Sequence, residues 1–137
     1  MKRVLIGFGL LTALAVVGAA DAQNEKAPSI KDIMTKLNKG PKSLCPVLGT
    51  ALKADPPKWD DIQKETKEFA TLAEALVKND PPKGEKASWE KLCKEYAITA
   101  KDMDEAAQKK DQKAAAAAQG KLAKSCMSCH DAHRVKK

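Results

Sequence analysis

From Ser29 onward the apolar residues of this chain recur every three or four positions, and no stretch shows the strict alternation of a half-buried strand. The pattern predicts an all-α chain. Its first stripe is Ile30, Ile33, Met34, Leu37, Leu44, Cys45, Leu48 and Leu52, entered through Pro28 and a Ser29 cap. Ile33 and Met34 recur three helical turns later as Leu44 and Cys45, so the phase survives Gly40-Pro41. The spacing predicts one long helix kinked near Pro41 and Pro46, with two short helices as the alternative.

Two similar punctuation marks divide the rest of the chain. Asp55-Pro56-Pro57-Lys58 closes the first stripe and opens the second, because proline suits a first helical turn and Asp60 and Asp61 suit the positive end of a helix dipole. Asp80-Pro81-Pro82-Lys83-Gly84 repeats the device. The second stripe is Trp59, Ile62, Phe69, Leu72, Ala73, Leu76 and Val77. The third follows a Ser88 cap through Trp89, Leu92, Cys93, Tyr96, Ala100, Met103 and Ala107. The last runs from about Asp111 through Ala114 to Ala118, then Leu122, Ala123, Cys126, Cys129, His130 and His133. Four amphipathic helices on short connections pack most simply as an up-and-down antiparallel four-helix bundle. Alanine dominates the last stripe where a core helix should fill space. It either serves helix propensity or leaves room for something large.

The first 22 residues stand apart from this pattern. Met1, Lys2 and Arg3 make a charged start, Val4 to Ala19 an apolar run, and Ala20-Asp21-Ala22 a small-x-small cleavage site. That reads as a secretory signal over residues 1–22, cut before Gln23, and places residues 23–137 outside the cytoplasm, in a periplasm; an uncleaved anchor is the alternative. The remaining 115 residues suit a single domain with one core. The chain's formal charge of +7 becomes +6 once Lys2, Arg3 and Asp21 leave. Lysines and acidic residues interleave, which describes solvated helix faces and argues against nucleic acid. The mild basic bias favours acidic protein partners or membrane headgroups, and no second apolar run supports stable membrane insertion.

All four cysteines follow the signal, in a compartment where thiols need a bridge, a metal, a cofactor or burial. Cys126, Cys129 and His130 form C-x-x-C-H, and positions i, i+3 and i+4 of a helix share a face. Haem offers two vinyl groups for thioether bonds and an iron that accepts an imidazole nitrogen, so this spacing is the c-type attachment signature. Two rivals share the residues. A thioredoxin-type dithiol belongs at the start of a helix in a βαβ setting, and here the pair closes the last helix of a strandless chain. A zinc site of Cys126, Cys129, His130 and His133 would crowd four ligands into eight residues of helix, a poor match to a tetrahedron.

The ending "CMSCHDAHR" resembles the C-x-x-C-H-x-x-x-R ending of the class II c-type cytochromes, the cytochrome c prime family, with Cys126, Cys129, His130 and Arg134 in register. The resemblance extends over the mature chain from about residue 29. It implies a four-helix bundle with one covalent haem near the C-terminus, held by Cys126 and Cys129 with His130 as the proximal iron ligand. "IKDIMTKLN" looks like the helix on which low-spin members carry a methionine as second axial ligand, which here is Met34. His133 departs from the family, which usually has Tyr or Phe there. Family members often pair through their first two helices, so a homodimer is an open possibility.

Within such a bundle the first helix begins at the level where the fourth ends, which sets Met34 near the haem. Met103, fourteen residues beyond Trp89, falls about 21 Å from that level at ~1.5 Å per residue. Met34 is therefore the expected distal ligand, its ordinary alternative being a core methionine that fills a gap. His133 shares the proximal side with His130, and a haem-edge or surface role is expected for it. Arg134 either contacts a haem propionate or is a solvated cation at a helix C-terminus. Cys45 and Cys93 would close a loop of about 48 residues if bridged, worth ~4 kcal/mol. In a simple bundle they lie near opposite ends, and buried free thiols are expected.

These readings converge on an exported monohaem cytochrome that carries single electrons between redox-partner proteins. No nucleophile or acid–base pair marks it as an enzyme. The rival from another class is a five-coordinate module that binds or scavenges nitric oxide or carbon monoxide through the same proximal side. A haem-free helical binding protein with a Cys126–Cys129 disulfide is the third reading.

Overall fold

The computed structural model describes residues 27–135; the predicted signal of residues 1–22 lies outside them. Five α-helices and no strand are found among the described residues: α1 (Ile30–Asn38), α2 (Leu44–Ala51), α3 (Trp59–Leu76), α4 (Lys86–Gln108) and α5 (Gln112–His133). No helix among them is long and apolar enough to cross a membrane.

The single long first helix expected from the phase is two helices. Ser29 starts α1 as predicted, its hydroxyl accepting from the Asp32 amide at 3.2 Å and donating to the Asp32 carboxylate at 2.6 Å. The helix ends because Pro41 would lose a helical hydrogen bond and press its ring on the carbonyl four residues back. Gly40 takes the left-handed conformation at φ +86°, and the buried Ser43 donates its hydroxyl to the Gly40 carbonyl at 2.7 Å, closing the turn. Pro46 causes no kink, since it lies in the first turn of α2, where an amide would be unpaired anyway.

The second expected helix forms as α3, with Asp60 and Asp61 in its first turn and Ile62, Phe69, Ala73 and Leu76 buried. The third, α4, begins before its expected Ser88 cap: Glu85 holds the cap position, and Ser88 lies inside the first turn with its hydroxyl turned to α5. Asp111 caps α5, its carboxylate accepting from the Ala114 amide at 2.9 Å.

Packing is closest between α4 and its two neighbours, α3 and α5, while α2 bridges α3 to α5 and α1 rests on α2 and α3. No Cα of α1 comes within 8 Å of a Cα of α5. The alanines of α5 do not leave a hole. Ala115 and Ala118 are buried, and their small side chains let α4 approach, whereas Ala123, placed on the inner stripe by spacing, is exposed. Gln119 ties α2 to α5 by donating to the Cys45 carbonyl at 3.0 Å, across Gly49, where a Cβ would meet its amide at 2.9 Å.

Candidate functional site

The inner stripe of α5 changes character along its length. Ala115, Ala118 and Leu122 are buried and so is His133, but between them Cys126, Cys129 and His130 are only half-covered. Met127 and Ser128, on the opposite face, are exposed. Helical geometry therefore puts both thiols and the imidazole of C-x-x-C-H on one side, and the protein's own packing stops short of covering them. Cys129 packs against the edge of the core, and the Cys126 thiol rests 3.7 Å from the Leu122 carbonyl. Burial pushes the Cys129 thiol up from its ordinary pKa, with the neighbouring Cys126 adding to the rise. Among the described residues the His130 ring takes no hydrogen bond, so either nitrogen is free to bind a metal.

His133 behaves differently, and the surface position, one of the two expected for it, is overturned. It is 2% exposed and fully engaged. Its Nδ1 donates to the Lys83 carbonyl at 2.9 Å and its Nε2 lies in a hydrogen bond with the Ser88 hydroxyl at 3.2 Å. Its ring stands edge-on to Trp89. The same contacts withdraw it from any four-ligand zinc site with Cys126, Cys129 and His130.

Met34 is half-buried on α1 and packs against the core edge. Its sulfur accepts from the Asn38 amide at 3.7 Å, one turn on. Tyr96, reaching in from α4, has a buried hydroxyl without a hydrogen-bond partner among the described residues. Burial drives that hydroxyl well above the ordinary tyrosine range. The Asn38 side chain opposes the rise, and the thiols of Cys45, Cys126 and Cys129 add to it. Asn38 thus stands beside Tyr96 while its amide is aimed at the Met34 sulfur.

Cys45 and Cys93 are free and buried, as expected, although the reason differs. The break after α1 puts Cys45 at the start of α2 rather than late in a long helix. It lies near Cys126, and Cys93 lies near Cys129. Desolvation is the main reason the Cys93 thiol is pushed up to about 12. Arg134 is exposed at the end of α5, its amide bonded to the His130 carbonyl at 3.0 Å, and its guanidinium forms no ion pair among the described residues. An open depression of about 310 Å³ lies elsewhere, along Thr35, Lys36, Lys39 and Glu68, and contains none of these groups.

The residues present fit a covalently bound haem on three observations. Cys126, Cys129 and His130 share one face of α5, they are left half-covered between buried neighbours, and the His130 ring takes no hydrogen bond among the described residues. Sequence reading counted Tyr96 only as core and passed over Asn38 and Gln119. The available signal was a phenol on an inner stripe, whose polar tip requires a partner. Set against known protein families, curated proteins and solved structures, the chain finds no match in any of the three.

Proposed function

We propose that this chain is an exported monohaem c-type cytochrome of the class II kind, an up-and-down bundle that carries single electrons between redox-partner proteins in a periplasm. The observation that carries the reading is the uncovered stretch of α5. Cys126, Cys129 and His130 are the inner positions that the polypeptide leaves half-covered, between Leu122 and His133, which are buried. When bound, haem supplies a one-electron ferric/ferrous couple.

The protein's own residues do the rest. Cys126 and Cys129 would hold the group through thioether bonds, each thiol adding sulfur to one carbon of a vinyl double bond and its hydrogen to the other, with no oxidant needed. The His130 imidazole and the Met34 sulfur are the groups that would ligate its iron. Methionine as the second ligand raises the reduction potential and closes the iron to gases, which suits electron transfer. Arg134 is free to pair with a propionate. The lysines of the exposed faces favour acidic partners.

The test is a visible spectrum of the mature protein, oxidised and reduced, made in a host with haem-attachment machinery. A covalent c-type spectrum of low-spin form, scarcely altered by carbon monoxide after reduction, is expected. Met34→Ala should then bind carbon monoxide at once. Prompt binding by the unaltered protein would turn the reading to the five-coordinate gas-binding alternative. Colourless material would overturn both.

A further inference from the structure

We propose that the depression between the end of α1, the turn into α2 and the middle of α3 is the docking surface for the acidic face of a redox-partner protein; this rests on the cytochrome reading given above. The depression, of about 310 Å³, is lined by Thr35, Lys36, Lys39, Lys42 and Ser43, with Glu68 as its one carboxylate. Lys36 Nζ stands 3.3 Å from the Glu68 carboxylate, so these two charges offset each other. Lys39 and Lys42 are exposed and enter no ion pair among the described residues, and they set the sign of the site.

The charge pattern here departs from that of most of the chain. Lysines and carboxylates interleave along much of its length, yet residues 33–54 hold Lys36, Lys39, Lys42 and Lys53 and no acidic residue. Residues 112–130 are also free of carboxylates, but Lys113, Lys121 and Lys124 stand exposed along roughly 16 Å of α5, whereas Lys36, Lys39 and Lys42 line one hollow. The turn that carries them is fixed. Ser43 donates both its hydroxyl, at 2.7 Å, and its amide, at 3.2 Å, to the Gly40 carbonyl, and the Lys39 amide donates to the Thr35 carbonyl at 3.4 Å. Backbone that is already ordered loses little freedom on binding, which leaves more of the charge attraction as affinity.

Position ties this surface to electron transfer. Thr35 follows Met34 in α1, so a partner seated in the depression stands against the helical turn that carries the proposed distal ligand. Concavity selects the class of partner. A carboxylate side chain protruding from a folded protein can enter a hollow among ammonium groups, whereas the flat surface of a bilayer rests on the rim. Exposed lysines keep their water, so they steer an acidic partner from a distance and release it quickly, as a single-electron carrier requires.

The experiment titrates the mature haem-carrying protein with a hexaaspartate peptide at low ionic strength and follows its amide NMR shifts. The largest shifts should fall on residues 35–44 and on Glu68. Lys39→Gln combined with Lys42→Gln should weaken binding about tenfold, the loss of two exposed charge pairs. Lys113→Gln combined with Lys121→Gln removes the same charge from α5 and should weaken it by no more than about twofold. Oxidation of the reduced protein by ferricyanide, an anionic one-electron oxidant, should slow about fivefold in the first variant, while oxidation by neutral benzoquinone should not change. Equal weakening by the two variants, unchanged ferricyanide oxidation, or equal slowing with both oxidants would overturn the docking surface. Vesicles of phosphatidylserine and phosphatidylcholine that bind through Lys39 and Lys42 more tightly than the peptide does would put a membrane in place of the protein partner and overturn the proposal. Colourless protein that still binds the peptide at these lysines would end the cytochrome reading, and with it the partner's redox role, but not the acidic docking surface.

Discussion

The ring of His133 stands edge-on to that of Trp89, centroids 5.5 Å apart and planes at 79°, and this contact seats the end of α5 on the start of α4. The Trp89 indole is itself fixed, donating to the Asn79 carbonyl at 2.7 Å. His133 thus belongs to a polar and aromatic clasp one turn beyond His130, and it holds rigid the helix end on which the proposed iron ligand sits.

His133→Ala should destabilise the fold by about 3 kcal/mol, because it empties a buried site and strips the Lys83 carbonyl of its partner. His133→Phe keeps the edge-on aromatic contact but still orphans that carbonyl, so about 1–2 kcal/mol is expected. Urea unfolding of the two variants checks the order. Equal stability of all three proteins would show that the clasp contributes nothing.

Gly84 closes the same clasp. Its φ is +79°, and a Cβ there would meet the Ala132 carbonyl oxygen at 2.9 Å and His133 Nδ1 at 3.0 Å. Gly84→Ala should cost about 2–3 kcal/mol, combining left-handed strain with a clash against backbone. Gly40 has φ +86° but open space around its Cβ position, so Gly40→Ala should cost only about 1 kcal/mol. Thermal melts of the pair separate steric from conformational penalty.

Glu65 sets a pH dependence. One of its carboxylate oxygens is buried without a partner. Its pKa is raised chiefly by that burial, with repulsion from Asp61 and Glu68 adding and Lys64 opposing. The folded protein therefore keeps this proton to higher pH than the unfolded chain does, and stability falls as pH rises through the window just above the ordinary carboxylate value. Glu65→Gln should be more stable than the parent at neutral pH, and the difference should close as pH drops below about 4. A difference that stays constant from neutral to acid pH would contradict the assignment.

Thiol counting tests the attachment chemistry without any spectrum. Cys93 is 2% exposed with its pKa near 12, which leaves a thiolate fraction on the order of one in ten thousand at pH 8, and burial also raises Cys45. Neither should react with an alkylating agent in the folded protein. In denaturant the mature protein should label at Cys45 and Cys93 alone, because thioethers block the other two. Labelling of all four cysteines would show that no such bonds exist.

The helical class and the shared face of Cys126, Cys129 and His130 were legible because both are local. A 3.6-residue period needs only its own segment to be read, and C-x-x-C-H places its three groups on one face wherever the helix is found. The cap at Ser29 and the bounds of α3 were readable for the same reason.

The break between α1 and α2 was not legible. An eleven-residue recurrence is three turns whether the intervening chain is helical or not, so hydrophobic phase cannot see the turn at Gly40 and Ser43. Gly40-Pro41 left a kink and a break both open, and the broken form is the one that puts Cys45 beside Gln119 and near Cys126.

Sequence by itself thus determined which residues form helices and which three groups project together from α5. Tertiary structure alone decided that His133 is a clasp and that Ser88 is its partner rather than a cap. Those relationships join residues 44 to 50 positions apart in the chain, and the contacts that create them exist only after separate helices have packed.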